Sequence, residues 1–173
     1  MFWEVKLNTQ VRIRPNNLTK GIKDTIHHHL ENNIKGRIYQ NAGIVLQIDK
    51  DKTRQISRGM VSSRSGETIY EVEFSAISFK VFSGQVIDAR VASISSQGIF
   101  AQAGLVEIFI DASLVSGFEY QHETSSLISI KSGSKIIKDS TIRCKMLSVR
   151  PKADLKLYSA TGTMEDSFLG LIK

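Results

Sequence analysis

The sequence predicts an α+β fold in two parts, an N-terminal antiparallel sheet with one amphipathic helix over residues 1–82 and a C-terminal barrel of five strands over residues 83–173. Three observations carry this. Apolar residues recur at every second position through most of the chain but at every fourth between Leu18 and Ile34, so one helix stands among strands. A Phe-rich stretch from Phe74 to Asp88, with Gly84 inside it, divides the 173 residues into halves of domain size. Beyond it come five short alternating segments, with a long connection between the third and the fourth.

Composition sets the bounds. At 41% hydrophobic and 23% charged residues, the chain has material for two modest cores and too much apolar content for disorder. Two prolines leave no proline-rich spacer between the halves. Cys144 is the one cysteine, which excludes an internal disulfide and fits a reducing compartment. Apolar runs such as Gly43 to Ile48 fall far short of a membrane span and the opening residues lack the order of a secretory signal, so no membrane partner is expected. The formal charge is +6, and from Lys131 to Lys156 eight Lys and Arg face two acids, Asp139 and Asp154. That run reads either as a phosphate-facing surface or as a solvated basic face.

In the first half, Trp3, Val5, Leu7, Val11 and Ile13 alternate with Glu4, Lys6, Asn8, Gln10 and Arg12, a half-buried strand that Pro15 ends. Asn16, Asn17 and Thr19 then offer helix N-caps; Leu18, Ile22, Ile26, Leu30 and Ile34 form the apolar stripe, and Gly36 stops the helix. His27-His28-His29 lies on this helix, but consecutive helical residues point about 100° apart and cannot close on one ion. No metal is expected there. Arg37 to Tyr39 and Ile44 to Ile48 make a hairpin across Gln40-Asn41-Ala42-Gly43, with Ile44, Leu46 and Ile48 on one face. Gln55 to Val61 and Thr68 to Phe79 are further strands around a turn at Ser62 to Gly66. Glu71 and Glu73 share a strand face, but no pocket partner accompanies them.

In the second half, Ile87, Ala89 and Val91 alternate with Asp88 and Arg90, Ile99, Ala101 and Ala103 with Phe100 and Gln102, and Val106, Ile108 and Ile110 with Glu107 and Phe109. A polar loop from Ser113 to Ser134, broken by Leu127, Ile128 and Ile130, leads to Thr141 to Val149, where Ile142, Cys144 and Met146 alternate with Arg143 and Lys145. The last strand sets Leu155 and Leu157 opposite Lys156 and Tyr158. This is the strand plan of an OB-fold. Its polar face carries the candidate site: Phe100, Gln102, Phe109, Arg143, Lys145 and Lys156. Rings stack on bases and cations neutralise phosphates, so the expected ligand is single-stranded RNA. The other reading of the two rings is packing against the first domain or the loop after Ser113. No glycine-rich phosphate loop follows a strand and Cys144 falls on an apolar strand face, so neither a cofactor nor an enzyme activity is expected.

Three stretches together resemble a known family. They are Phe74-x-Ala76-x-x-Phe79-Lys80-x-Phe82-x-Gly84-x-Val86-x-Asp88, the opening Met1-Phe2-Trp3, and the ending Gly162-Thr163-x-x-x-Ser167-Phe168-Leu169-Gly170-x-Ile172. They are similar to the stalk subunits of DNA-directed RNA polymerases, formed by the seventh subunit of the eukaryotic polymerase II and its counterpart in the archaeal polymerase. Gly59 to Ile77 keeps that family's length, and the tail ending Phe168-Leu169-Gly170-Leu171-Ile172 is more like the polymerase II member than its longer relatives in polymerases I and III.

The resemblance implies a non-catalytic nuclear subunit that heterodimerises with a homologue of the smaller fourth subunit. It implies docking on the polymerase core near the clamp and contact with nascent RNA at the exit channel during transcription initiation. Carried onto this sequence, it implies a docking tip at Asn41, Ala42 and Gly43 and a second docking loop at Ser65, Gly66 and Glu67. There are departures: Val81 stands where the family has a proline, and RNA-binding barrels of the ribosomal-protein type often have an aromatic where Gln97 stands and a histidine near Asp111. Weak, salt-sensitive RNA binding with little sequence preference is therefore expected. The alternative is a free-standing OB-fold single-stranded RNA-binding or translation-related factor.

Overall fold

The computed structural model describes residues 1–172 except Ile56, Ser116, 122–125, 131–132, Ala153 and Leu155, and the side chains of Thr19, Lys20, Gln40 and Gln55 are left aside. Leu155, Lys131 and Ile56 of the expected Gln55 to Val61 strand thus lie outside the described residues. Two compact units result, Met1–Lys80 and Val81–Lys173.

The first unit runs β1 (Phe2–Ile13), a 3-10 turn (Pro15–Lys20), α1 (Ile22–Asn33), β2 (Ile38–Tyr39), β3 (Gly43–Ile48), β4 (Arg54–Gln55), β5 (Met60–Val61) and β6 (Thr68–Phe79). β6 organises it. Rich in β-branched and aromatic residues, this strand pairs antiparallel with β1 over its whole length and with β3, β4 and β5 along its other edge, while β2 extends β3. Its alternation buries Tyr70, Val72, Phe74 and Ala76 with Val11 and Ile13 of β1, Val45 and Ile48 of β3, and Ile26 and Leu30 of α1. The helix therefore covers one face of the sheet, as expected.

Three local expectations are corrected. The helix begins at Ile22 rather than near Leu18, because Pro15 opens a separate 3-10 turn and Gly21, at φ +84°, divides the two. Asn16, Asn17 and Thr19 are therefore not its caps; the Thr25 hydroxyl instead donates to the carbonyls of Asn17 (3.2 Å) and Gly21 (3.0 Å). Ile22, 38% exposed, drops out of the buried stripe. In β3 an irregularity between Val45 and Gln47 shifts the alternation, so Ile44, Val45 and Ile48 are buried and Leu46 only half so. Gln55 to Val61 holds two short bridges, β4 and β5, interrupted at Gly59 (φ +86°), where an added Cβ would meet the Tyr70 ring at 2.5 Å.

The second unit runs β7 (Val86–Ser95), β8 (Gly98–Ala103), β9 (Val106–Asp111), β10 (Phe118–Gln121), β11 (Ser126–Ser129), β12 (Lys135–Ile136), β13 (Thr141–Lys152), β14 (Leu157–Thr163) and β15 (Gly170–Leu171). Strands β7, β8, β9, β14 and β13 close into a barrel, with β9 and β14 parallel and β13 pairing both β14 and β7. This is the expected five-stranded OB-like barrel. The inward sets of the first four barrel strands are those read from alternation: Ile87, Ala89, Val91, Ile99, Ala101, Ala103, Val106, Ile108, Ile110, Ile142, Cys144 and Met146 are all buried. The fifth strand is corrected. Its parallel register with β9 sets Tyr158 beside Val106 and Ala160 beside Ile108, so Tyr158 and Ala160 are buried and Leu157 is half-exposed. The connection expected to be a polar loop carries the small antiparallel sheet β10, β11 and β12, with Leu127 and Ile136 buried.

Candidate nucleic-acid and docking surfaces

Two aromatic residues mark the outer wall of the barrel. Phe100 of β8 and Phe109 of β9 are direct cross-strand partners with ring centroids 4.8 Å apart and planes tilted by 43°. Phe100 is 47% exposed and Phe109 half-buried, so the pair presents ring surface to solvent. Gln102, two residues on, faces Glu107 and donates to the Gly104 carbonyl at 3.2 Å.

The expected cations lie elsewhere. Arg143 of β13 forms a two-point contact with Asp88 of β7, Nε to Oδ1 at 2.6 Å and an Nη to Oδ2 at 2.9 Å. That guanidinium holds the Asp88 carboxyl below its ordinary range, and the carboxylate raises the Arg143 pKa in turn. Lys145 lies 2.8 Å from Asp166. Along β7, Arg143 aligns with Asp88 whereas Phe100 aligns with Ser93. Five residues along the strand and two strands across separate them, on the order of 19 Å. Lys156 is exposed at the β13–β14 turn with φ +53°. The fold thus brings Phe100, Phe109 and Gln102 together and sets Arg143 and Lys145 apart, each beside an acid.

A nearer cation was missed. β13 continues past the expected end at Val149 to Lys152, placing exposed Arg150 opposite Ser159, which in turn aligns with Glu107 of β9. The register sets Arg150 about 12 Å from Phe109 between Cα atoms. No ion pair among the described residues holds it, whereas Lys152 lies 3.4 Å from Glu107. Continued alternation from Ile142, Cys144 and Met146 would turn Arg150 inward; the irregularity between Met146 and Ser148 reverses the faces, and no local pattern announced it.

The two expected docking loops sit at opposite ends of β6. Ile44, just past Asn41-Ala42-Gly43, pairs with Phe79, whereas Glu67 immediately precedes Thr68. Twelve residues of strand separate these ends, about 36 Å. Asn41 is exposed, but Ala42 and Gly43 are buried, and Lys80 Nζ donates to the Asn41 carbonyl at 2.5 Å. Ser65 and Gly66 are exposed, with Gly66 at φ +69°, and Glu67 lies 3.8 Å from Arg14. Elsewhere in this unit Phe2 (64% exposed), Trp3 (50%) and Ile77 (45%) border an open cleft of about 800 Å³. Among the described residues no group of three or more His, Cys, Asp or Glu is placed to hold a metal ion, and His28 meets Asn32 instead, at 3.0 Å.

No family model matches the sequence. Curated relatives do. DNA-directed RNA polymerase II subunit RPB7 of Glycine max is 27% identical over 174 residues, covering 99% of this chain and 97% of the relative. The corresponding subunit of Dictyostelium discoideum is 27% identical over 175 residues, covering 99% of both chains. The archaeal DNA-directed RNA polymerase subunit Rpo7 of Saccharolobus shibatae is 25% identical over 175 residues, covering all of this chain and 96% of the relative. The matched span takes in both units. From end to end, then, the chain is similar to the seventh subunits of eukaryotic RNA polymerase II and to their archaeal counterpart, as its junction and tail motifs suggested.

Proposed function

We propose that this protein is the non-catalytic stalk subunit of a nuclear RNA polymerase II, acting in transcription initiation. The observation that carries the reading is collinear similarity to named polymerase subunits over essentially the whole of both chains. Its first unit pairs with a homologue of the smaller fourth subunit. The exposed Phe2, Trp3 and Ile77 beside the open cleft supply the apolar surface that a permanent partner needs. The same unit docks on the polymerase core. Ser65-Gly66-Glu67 is the leading contact, because Ser65 and Gly66 are exposed; Asn41, Ala42 and Gly43, largely buried, form a second contact at the other end of β6.

The barrel meets nascent single-stranded RNA. Phe100 and Phe109 stack on bases, with Gln102 beside them, while Arg143, Lys145 and Lys156 act as longer-range cations of a weak, sequence-tolerant site. The test is reconstitution. Polymerase II core lacking its stalk, supplied with the chain and its smaller partner, should regain promoter-dependent initiation, and the chain with Phe100→Ala should regain it while cross-linking less to the transcript. Failure of the wild-type pair to bind the core or restore initiation would reject the reading.

A further inference from the structure

The His27-His28-His29 triplet of α1 contains a polar atom that the fold leaves over. Among the described residues, His27 Nε2 is the one buried side-chain nitrogen or oxygen without a hydrogen-bond partner. Buried polar groups are nearly always paired, so an orphan needs a reason. His27 follows Ile26, which anchors α1 in the core, and its own side chain is 16% exposed. Its other ring nitrogen, Nδ1, lies 3.8 Å from Glu31 Oε2, one helical turn on. A carboxylate on that side favours a proton at Nδ1, which leaves Nε2 a lone pair with no donor. His27 borders the open cleft of about 800 Å³ together with Trp3, Leu46 and Ile48, and two smaller hollows of about 560 and 210 Å³ beside the β3–β4 loop. The charged groups lining these spaces hold one another: Asp24 meets Lys50 at 2.8 Å, Glu4 meets Lys52 at 2.7 Å, Asp49 meets Lys52 at 3.7 Å and Glu31 meets Lys35 at 3.9 Å, while Lys23 and Asp51 line the smallest hollow. Acids and lysines thus offset one another around the ring. The Lys35 and Lys50 side chains are 48% and 62% exposed, flexible stems that can turn aside for an incoming group.

We infer that His27 Nε2 accepts a hydrogen bond from a backbone N–H or hydroxyl of the smaller partner when that chain covers the cleft, and that protonation of the ring releases it. The inference rests on the proposal that the first unit pairs with that partner, and it adds the atom that makes the pairing sensitive to pH. A neutral imidazole with its proton on Nδ1 accepts at Nε2. An imidazolium carries N–H on both nitrogens and would set donor against donor, so the partner's donor meets the neutral ring alone. Histidine changes charge between pH 5 and 8, where the carboxylates of the cleft stay ionised, so a loss of pairing in that range needs no carboxylate to titrate. A metal is not the ligand of this lone pair, because no group of three His, Cys, Asp or Glu among the described residues is placed to hold one.

The test lets full-length wild type and a His27 variant compete for a limiting amount of the smaller partner, and reads the ratio of the two chains bound between pH 8 and pH 5.5. His28, His29 and His122 are present in both competitors, so their titration cancels in the ratio. His27→Gln keeps an acceptor oxygen at similar reach but does not titrate. It should match wild type at pH 8 and outcompete it about tenfold at pH 5.5. His27→Phe keeps a ring but no acceptor, leaving the partner's donor unpaired. It should lose to wild type about tenfold at pH 8, and that deficit should vanish at pH 5.5. Circular dichroism of each free chain checks that it is folded, and His27→Gln alone decides the matter should His27→Phe not fold. A ratio for His27→Gln that stays flat with pH, or a folded His27→Phe that competes as well as wild type at pH 8, would overturn the role of His27 and leave the pairing standing. Failure of wild type to bind the smaller partner at any pH would remove the pairing proposal and the inference with it.

Discussion

Gly98 holds the aromatic pair in place, and replacing it with alanine should cost about 4 kcal/mol. A Cβ built there lies 2.1 Å from the Ile110 carbonyl oxygen and 3.1 Å from the Asp111 Cα, both backbone atoms of the neighbouring strand. Neither can rotate aside as a side chain would. Its φ of +153° is one that residues with a Cβ rarely adopt. Overpacking of this kind costs about 1–3 kcal/mol and the backbone strain a similar amount. The first ladder pair of β8 with β9, Gly98 with Asp111, must open, together with the bond from the Ala112 N–H to the Gln97 carbonyl at 2.9 Å. Phe100, two residues on, would then lose its register with Phe109.

Gly104→Ala is the control, since Gly104 has φ +61° but nothing within 4 Å of an added Cβ. It should cost about 1 kcal/mol. Trp3 is the one tryptophan and reports the first unit, so the barrel is better followed by native-state hydrogen exchange over β8 and β9. A difference of about 3 kcal/mol corresponds to exchange roughly 100-fold faster in Gly98→Ala than in Gly104→Ala. Equal exchange in the two variants would refute the account of the β8–β9 register.

Further outcomes can be checked on the same protein. Phe79, 1% exposed and edge-on to Phe2 with centroids 5.4 Å apart, should cost about 3–5 kcal/mol when replaced by alanine, read as an earlier urea transition of Trp3 fluorescence. Burial pushes the Cys144 thiol up to about 11, so a thiol reagent at pH 8 should leave the folded chain unlabelled and label it once denatured. Asp88→Asn frees Arg143, and RNA binding should tighten with a salt slope steeper by about 0.7 if the freed guanidinium gains one phosphate. Because Arg143 lowers the folded pKa of Asp88, that carboxylate contributes stability above its unfolded value near 3.8 and loses it as pH falls through the lower folded value. Asp88→Asn should therefore flatten the acid limb of the stability profile below about pH 4.

Strict alternation made most of the fold legible. β6 spans Thr68 to Phe79 as the run of β-branched and aromatic residues implied, and the inward faces of the first four barrel strands follow the pattern residue by residue. Where reading failed, a tertiary constraint overrode the local signal. Pro15 and Gly21 cut a 3-10 turn from the front of a stripe that looked like one helix. The parallel partnership of β14 with β9, which no local pattern announces, chose Tyr158 rather than Leu157 for the interior. At the candidate site, alternation correctly sent Phe100, Phe109, Arg143 and Lys145 outward. Which of them meet depends on register across several strands. That register set the two phenylalanines together and gave the cations to Asp88 and Asp166.

The central claim is membership of a polymerase stalk, and recovery of the chain from its own cells tests it most directly. Tagged at its own locus and purified under mild salt, the chain should bring down the polymerase II subunits in equal amount, with the smaller partner remaining bound after high salt releases the core. Recovery as a lone monomer, or with translation factors and no polymerase subunit, would contradict the account.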